Sequence, residues 1–329
     1  MADIIDANSH ITSEAILDAI EGLQASLQAS SLRSASRMTD VEGRIDFLDR
    51  FGIDRQVINL ARPTIWLGID PDDALSAVRL ANDEIRRIAD EHPDRFIPMG
   101  TIPHLTGDYL DEVRRCADEL DMPAIQIFSN VEGAMLDDPS FEPFWETVDD
   151  LALPVWIHPQ LAEWHDFAVG ETWIYKMLAW PFDTSIALAR LVFSGLLDRH
   201  RNVRVVSHHL GGTLPYLVGR FQSWYQTRQE EPELYAEQAV ADLDDPLETY
   251  LERVYGDTAV SSQGEVYPLQ CGYEFFGADR MVYSSDYPLG PDNGEYWPGT
   301  IMAAIDALPI TDDERADIYS GTVSRLLDR

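Results

Sequence analysis

The sequence predicts an α/β fold of the (β/α)8 TIM-barrel class, a single domain over residues 1–329 with extended βα loops. Eight short apolar runs recur along the chain, each bounded by turn residues and followed by a longer segment with helical spacing. The runs are too uniformly apolar to leave one face in water, which favours buried parallel strands closed into a barrel. No G-x-G-x-x-G follows the first run, and this weakens the runner-up, an open doubly wound sheet.

In chain order the strands are read at 3–7 (DIIDA), 55–61 (RQVINLA), 95–101 (RFIPMGT), 123–128 (PAIQIF), 154–158 (PVWIH), 203–208 (VRVVSH), 253–259 (RVYGDTA) and 281–285 (MVYSS). Between them, apolar stripes at helical spacing run through 41–51, 72–91, 108–120, 140–151, 184–199 and 213–227. In 72–91 the stripe is Leu75, Val78, Leu80, Ala81, Ile85 and Ile88, with Asp72 or Asp73 able to cap the start. The polar stretch 229–248 reads as a surface insertion before the seventh strand. There is no Pro/Ser-rich linker, low-complexity tract or repeat beyond the βα unit.

At 45% hydrophobic the chain can bury a large core. With 58 acidic against 24 basic residues, its net charge of −34 repels nucleic acid and anionic membranes, so neither is expected as a partner. Lys176 is the only lysine. Such an acidic, lysine-poor surface suits high salt, where screening offsets self-repulsion; an ordinary acidic protein with solvated faces is the plainer reading. No apolar run reaches a membrane span, and MADIIDANSH has neither the basic start nor the apolar core of a signal peptide, so a cytoplasmic protein is expected. Cys116 and Cys271 stand singly, which suggests no disulfide and no thiolate metal site.

In such a barrel, reactive side chains project from the C-terminal ends of the strands. Strand one leads to His10, with Asn8 on the same side by the two-residue period; strand five ends at His158, strand six at His208 and His209, and strand eight at Asp286. One histidine after an apolar strand is more often a core or loop residue than a ligand. Imidazoles and a carboxylate converging from four strands are a different matter, because together they supply the N and O donors of a single divalent metal site. Zinc is the first choice, with manganese, magnesium or iron as alternatives. His92 and His200 lie at helix ends and read as structural, whereas His104 and His165 can line the pocket. Lys176 falls inside a helical stretch, which argues against a lysine-bridged metal pair.

The ordered segments IIDANSHI, PVWIHP, SHHLGGTLPYLVGR, YGDTA and MVYSSDYPLG resemble the amidohydrolase-2 family of the amidohydrolase superfamily over essentially the whole chain. Its best-known members decarboxylate aminocarboxymuconate semialdehyde and resorcylates. The resemblance implies metal ligands at His10, His158 and Asp286, with acid/base or substrate contact at His209. Asn8 stands where the family usually has a histidine or an acidic residue, so it is a weak or absent ligand here. Gly321-Thr322 replaces the family's frequent Gly-Asn-Ala. Gly211 and Gly212 suit either close backbone approach to the site or helix packing.

Two chemistries share these ligands. One is decarboxylation of a small aromatic or unsaturated carboxylic acid, with His209 or Asp286 handling the proton delivered to carbon. The other is hydrolysis or hydration of a lactone, amide or enol acid by metal-activated water. A third reading, a barrel without turnover that only binds, rests on Asn8 alone. Candidate substrate-binding residues are Arg33 and Arg62, which can meet a carboxylate, and His208; Arg37 shares the first loop with Arg33. Trp66, Trp164, Trp173 and Trp180 can wall an apolar pocket. The family resemblance also implies a homodimer or higher homo-oligomer.

Overall fold

The computed structural model describes residues 3–23, 36–60, 69–160, 174–235, 240–261 and 263–328. Its strands are β1 (Ile5–Ile11), β2 (Arg55–Leu60), β3 (Phe96–Pro98, resuming in line at Gly100–Thr101), β4 (Ile125–Phe128), β5 (Val155–His158), β6 (Val205–Ser207), β7 (Val254–Asp257) and β8 (Met281–Val282). Every ladder among them is parallel and joins neighbours in chain order. Backbone hydrogen bonds cross both breaks in the ladder: Met99 N to Ile58 O at 3.0 Å, and Ala7 N to Tyr283 O and His10 N to Tyr287 O at 2.8 and 2.7 Å. The order therefore runs round from β1 to β8 and back, as a βα-alternating chain requires and an open doubly wound sheet does not.

Inside the ring lies a small apolar core: Ile5 and Ala7 of β1, Val57 of β2, Met99, Ala124, Trp156 of β5, Val206 of β6 and Val282 of β8, closed below by Val323 and Leu326 of the last helix, Thr322–Leu327. The two-residue period then sets the next inward layer. Two residues beyond Val57, Trp156 and Val206 come Asn59, His158 and His208, and beyond Tyr255 and Val282 come Asp257 and Ser284. Apolar packing thus fills the N-terminal half of the barrel, and the polar layer falls at its C-terminal mouth.

A larger cluster packs the helices onto the outside of the strands. Two local expectations change here. First, β1 extends four residues past the predicted end, so His10 lies within the strand, and its pairing with β2 shifts register between Asp6 and Ser9. Second, helix Pro71–Glu91 is capped by Asp70, whose carboxylate accepts from Asp72 N at 3.0 Å, not by Asp72 or Asp73. Pro71 at the first helical position has the right φ and no N–H to satisfy, which places the cap one residue ahead of it. Leu80 is only half-buried, while Asn82 joins the buried face and bonds Glu112 at 2.7 Å. Lys176 is exposed in a helical turn, Tyr175–Ala179, and not on a strand. Part of the 229–248 stretch continues helix Leu214–Glu230, and Arg228 to Asp242 at 2.7 Å ties it to the surface.

Asp183, buried in helix Trp180–Phe193, accepts from Ser129 Oγ and from Asn130 Nδ2. Burial pushes its carboxyl up to about 6, against the ordinary 3.8. A folded-state value above the unfolded one gives stability that is full below pH 3.8 and is lost as pH rises through about 6. Relative to Asp183→Asn, the native protein should therefore lose on the order of 2–3 kcal/mol between those limits. Urea unfolding at a series of pH values reads this difference, and a difference flat with pH contradicts it.

Candidate active site

His10 is fully buried, and its Nδ1 lies 2.9 Å from Asn59 Oδ1. Asn59 spends its amide hydrogens on Asn8 Oδ1 at 2.7 Å, which leaves its oxygen as the acceptor for His10. The His10 proton is thereby held on Nδ1, and the lone pair on Nε2 faces Asp286 Oδ1 at 3.1 Å. Two electron-rich atoms at that separation call for a cation or a proton between them. His158 repeats the pattern, because its Nδ1 donates to Pro159 O at 2.8 Å and frees Nε2.

The imidazoles form one cluster. The His10 ring centroid lies 5.4 Å from that of His158 and 6.5 Å from that of His208, and His158 and His208 are 4.8 Å apart. Burial holds the His158 imidazolium down to about 3, with His10 adding to the effect. The same desolvation drives His208 well below the ordinary imidazole value and lowers His209. All three are therefore neutral near pH 7, the form that binds metals. Burial would raise Asp286, but the His10 side chain 3.1 Å away and the other nearby imidazoles outweigh it and hold the carboxyl below its ordinary value.

Asp286 and His209 both have left-handed backbones, with φ of 56° and 52°, a conformation that is uncommon outside glycine and concentrated at functional sites. Asp257 of β7 fixes the His209 turn by accepting its backbone N–H at 2.8 Å. The His209 ring, half-buried, has no partner for Nδ1 among the described residues. Gly212, with φ of 63°, settles the role of the glycine pair in part: a Cβ there would stand 2.1 Å from the Pro181 carbonyl oxygen, so close helix packing demands glycine.

The donors fit a divalent ion in chemistry, tautomer and approach. Among the described residues, however, no set of three or more His, Cys, Asp or Glu side chains stands as a ready-made metal cage. Asn8 sits on the site face as the strand period predicts, with its oxygen engaged by Asn59. Arg33 and Arg62 lie outside the described residues, as do Trp66, Trp164, Trp173 and His165. Arg37 is ion-paired with Glu295 at 3.0 Å. Trp180 packs against His158, ring centroids 6.0 Å apart. A groove of about 700 Å³ lined by Phe182, Ile186, Phe193, Leu217 and Phe221 contains none of these site residues.

Sequence reasoning missed four supporting residues: Asp6, Arg44, Asn59 and Asp257. Asn59 and Gln56 interrupt an otherwise apolar strand, which is the signal that could have revealed them. Asn59→Ala should cost 10- to 100-fold in metal affinity by freeing the His10 tautomer. Calorimetric titration of manganese into chelated protein measures this, and an unchanged affinity removes Asn59 from the site.

A family model described as Amidohydrolase matches residues 5–329. The 2-amino-3-carboxymuconate-6-semialdehyde decarboxylase of Dictyostelium discoideum is 32% identical over 271 residues, 82% of this chain and 72% of that protein. The gamma-resorcylate decarboxylase of Rhizobium sp. is 26% identical over 83% of this chain and 85% of its own. Among solved structures, the 5-carboxyvanillate decarboxylase of Sphingomonas paucimobilis superposes with a TM-score of 0.86 at 22% identity, covering 99% of both chains. That of Novosphingobium aromaticivorans, complexed with manganese and 4-hydroxy-3-methoxy-5-nitrobenzoic acid, does so at 0.84 and 23% identity, covering 100% of this chain and 96% of its own.

Proposed function

Because this chain belongs to the amidohydrolase family, we propose that it is a metal-dependent decarboxylase, a C–C lyase acting on a small aromatic or unsaturated carboxylic acid. His10, His158 and Asp286 hold one divalent ion, and His209 and Asp286 handle the proton. The observation that carries this reading is the pairing of His10 Nε2 with Asp286 Oδ1 at 3.1 Å beside a neutral His158. When bound, the ion supplies the positive charge that holds the substrate carboxylate and stabilises the electron density left behind as carbon dioxide departs. The scissile C–C bond breaks with its electron pair retained by the substrate carbon, which then accepts a proton. His209 and Asp286 both lie toward their deprotonated forms at neutral pH. They therefore collect that proton first, from a substrate hydroxyl or water, and pass it to carbon.

Manganese, present in the Novosphingobium structure, now stands beside zinc, which the nitrogen-rich donor set favours. The hydrolytic alternative draws no support from the relatives named above. The working protein is taken to be one domain and a cytoplasmic homo-oligomer. Among the described residues no helix is long and apolar enough to cross a membrane. The acidic surface is taken as an adaptation to salt, so stability should rise from low to molar KCl, and equal unfolding curves remove that reading.

The test is elemental analysis of protein purified without chelator, native and His158→Ala, followed by carbon dioxide release from a panel of hydroxybenzoates and carboxymuconates. About one ion per native chain, lost in the variant, with carbon dioxide released, supports the proposal. Turnover of lactones or enol acids without carbon dioxide overturns it.

A further inference from the structure

His208 is fully buried beside the site, and its Nε2 has no hydrogen-bond partner among the described residues. Asn8, the strand-one residue facing the same centre, has its amide oxygen engaged by Asn59 at 2.7 Å and turns its nitrogen to His208 Nδ1 at 3.3 Å. The other neighbour of that Nδ1 is Asp257 Oδ2, at 3.5 Å, an oxygen that also lacks a hydrogen-bond partner. The amide nitrogen donates, so Nδ1 accepts in this geometry; when an ion takes the Nε2 lone pair, the Nδ1 proton turns instead to Asp257 Oδ2, the carboxylate that usually stands behind a metal-binding histidine.

The spacing of the rings agrees. Imidazoles on one ion, with nitrogens about 2.1 Å from it, put their ring centroids roughly 4.5–6.5 Å apart, short for ligands at right angles and long for opposed ones. The His158–His208 separation of 4.8 Å falls near the first case, and the His10–His208 separation of 6.5 Å near the second.

Building on the mononuclear site proposed above, we propose that His208 is its fourth protein ligand, oriented by Asp257, and that it supplies from β6 the donor that Asn8 does not supply from β1. The donor set is then three imidazoles and Asp286. A histidine that merely packed in the core would need neither the unpartnered Nε2 nor the carboxylate behind it.

The probe is manganese(II) chloride, titrated calorimetrically into chelated full-length protein, with circular dichroism confirming the fold of each variant. His208→Gln should weaken binding by about 100-fold or more, beyond the usual cost of losing an orienting partner. The swap Asn8→His with His208→Gly should recover most of that loss, since removing one ring opens space beside the other. Pulsed EPR of manganese-loaded native protein carrying nitrogen-15 histidine should show three directly bound histidine nitrogens.

Native affinity within about threefold in His208→Gln, or two bound histidine nitrogens, overturns the assignment of His208 and leaves the three-ligand site standing. The nitrogen count decides the matter if the variant does not fold. Failure of native protein to bind manganese at one per chain, or unchanged binding by His158→Ala, overturns the underlying site and His208 with it.

Discussion

Asp286→Asn should leave a folded protein whose decarboxylation rate is lower by roughly 10²- to 10⁴-fold, the usual worth of a positioned proton-transfer group. Asparagine tolerates the left-handed φ of 56° at this position and fills the same volume, so the turn is kept and the charge alone is removed. What disappears is the anion facing His10 Nε2 at 3.1 Å and the electrostatic partner of His209. Manganese affinity should fall in the same variant, because an amide oxygen is a neutral donor. Carbon dioxide release at saturating manganese, with a parallel melting curve, makes the check. A folded variant that keeps a tenth or more of native turnover removes Asp286 from the chemistry.

Arg44→Met should have the largest effect on stability, a loss of about 3–5 kcal/mol in urea unfolding. Arg44 is fully buried in helix Val41–Phe51, and burial brings its guanidinium down to about 10. It donates to Ser9 Oγ at 3.1 Å, to Gln56 Oε1 at 2.9 Å and to the backbone oxygen of His10, and it lies 4.7 Å over the Tyr287 ring. Methionine fills the space but leaves three buried acceptors short of a donor. It also removes a positive charge that interacts with Asp6, a buried carboxyl already raised to about 6 by desolvation. Arg44→Lys should recover less than half the loss, because one ammonium cannot span three acceptors placed around a planar fork. A loss below about 1 kcal/mol in Arg44→Met contradicts this account.

Arg44 also shows where sequence reading stopped. It falls three and four residues before Phe47 and Leu48, on the same buried helix face, and only that spacing separates it from an ordinary surface arginine. Asp6 is similar. Its one local partner is the long bond from Asn8 N at 3.4 Å; the short ones come from Gln56 at 2.7 Å and Ser285 N at 2.9 Å, one strand away on either side. Asp257 stood in a recognised motif without a role, because the His209 turn that it holds lies 48 residues earlier.

The strands and the histidines at their ends were legible because a closed barrel imposes two local rules on the chain. Strands buried on both faces read as apolar runs, and the two-residue period carries each inward stack up to the mouth, where Trp156 gives way to His158 and Val206 to His208. From the sequence alone, then, come the barrel class, the end of the barrel that carries the candidate site, and its candidate residues His10, His158, His209 and Asp286. The tertiary structure decided how those residues are held. Tautomers, left-handed turns and the closeness of the His10, His158 and His208 rings depend on partners brought together by barrel closure from distant parts of the chain. Local sequence carries no record of such distances, so the surroundings of His208 and the buried supports at Asp6, Arg44 and Asn59 emerge only when the strands stand side by side.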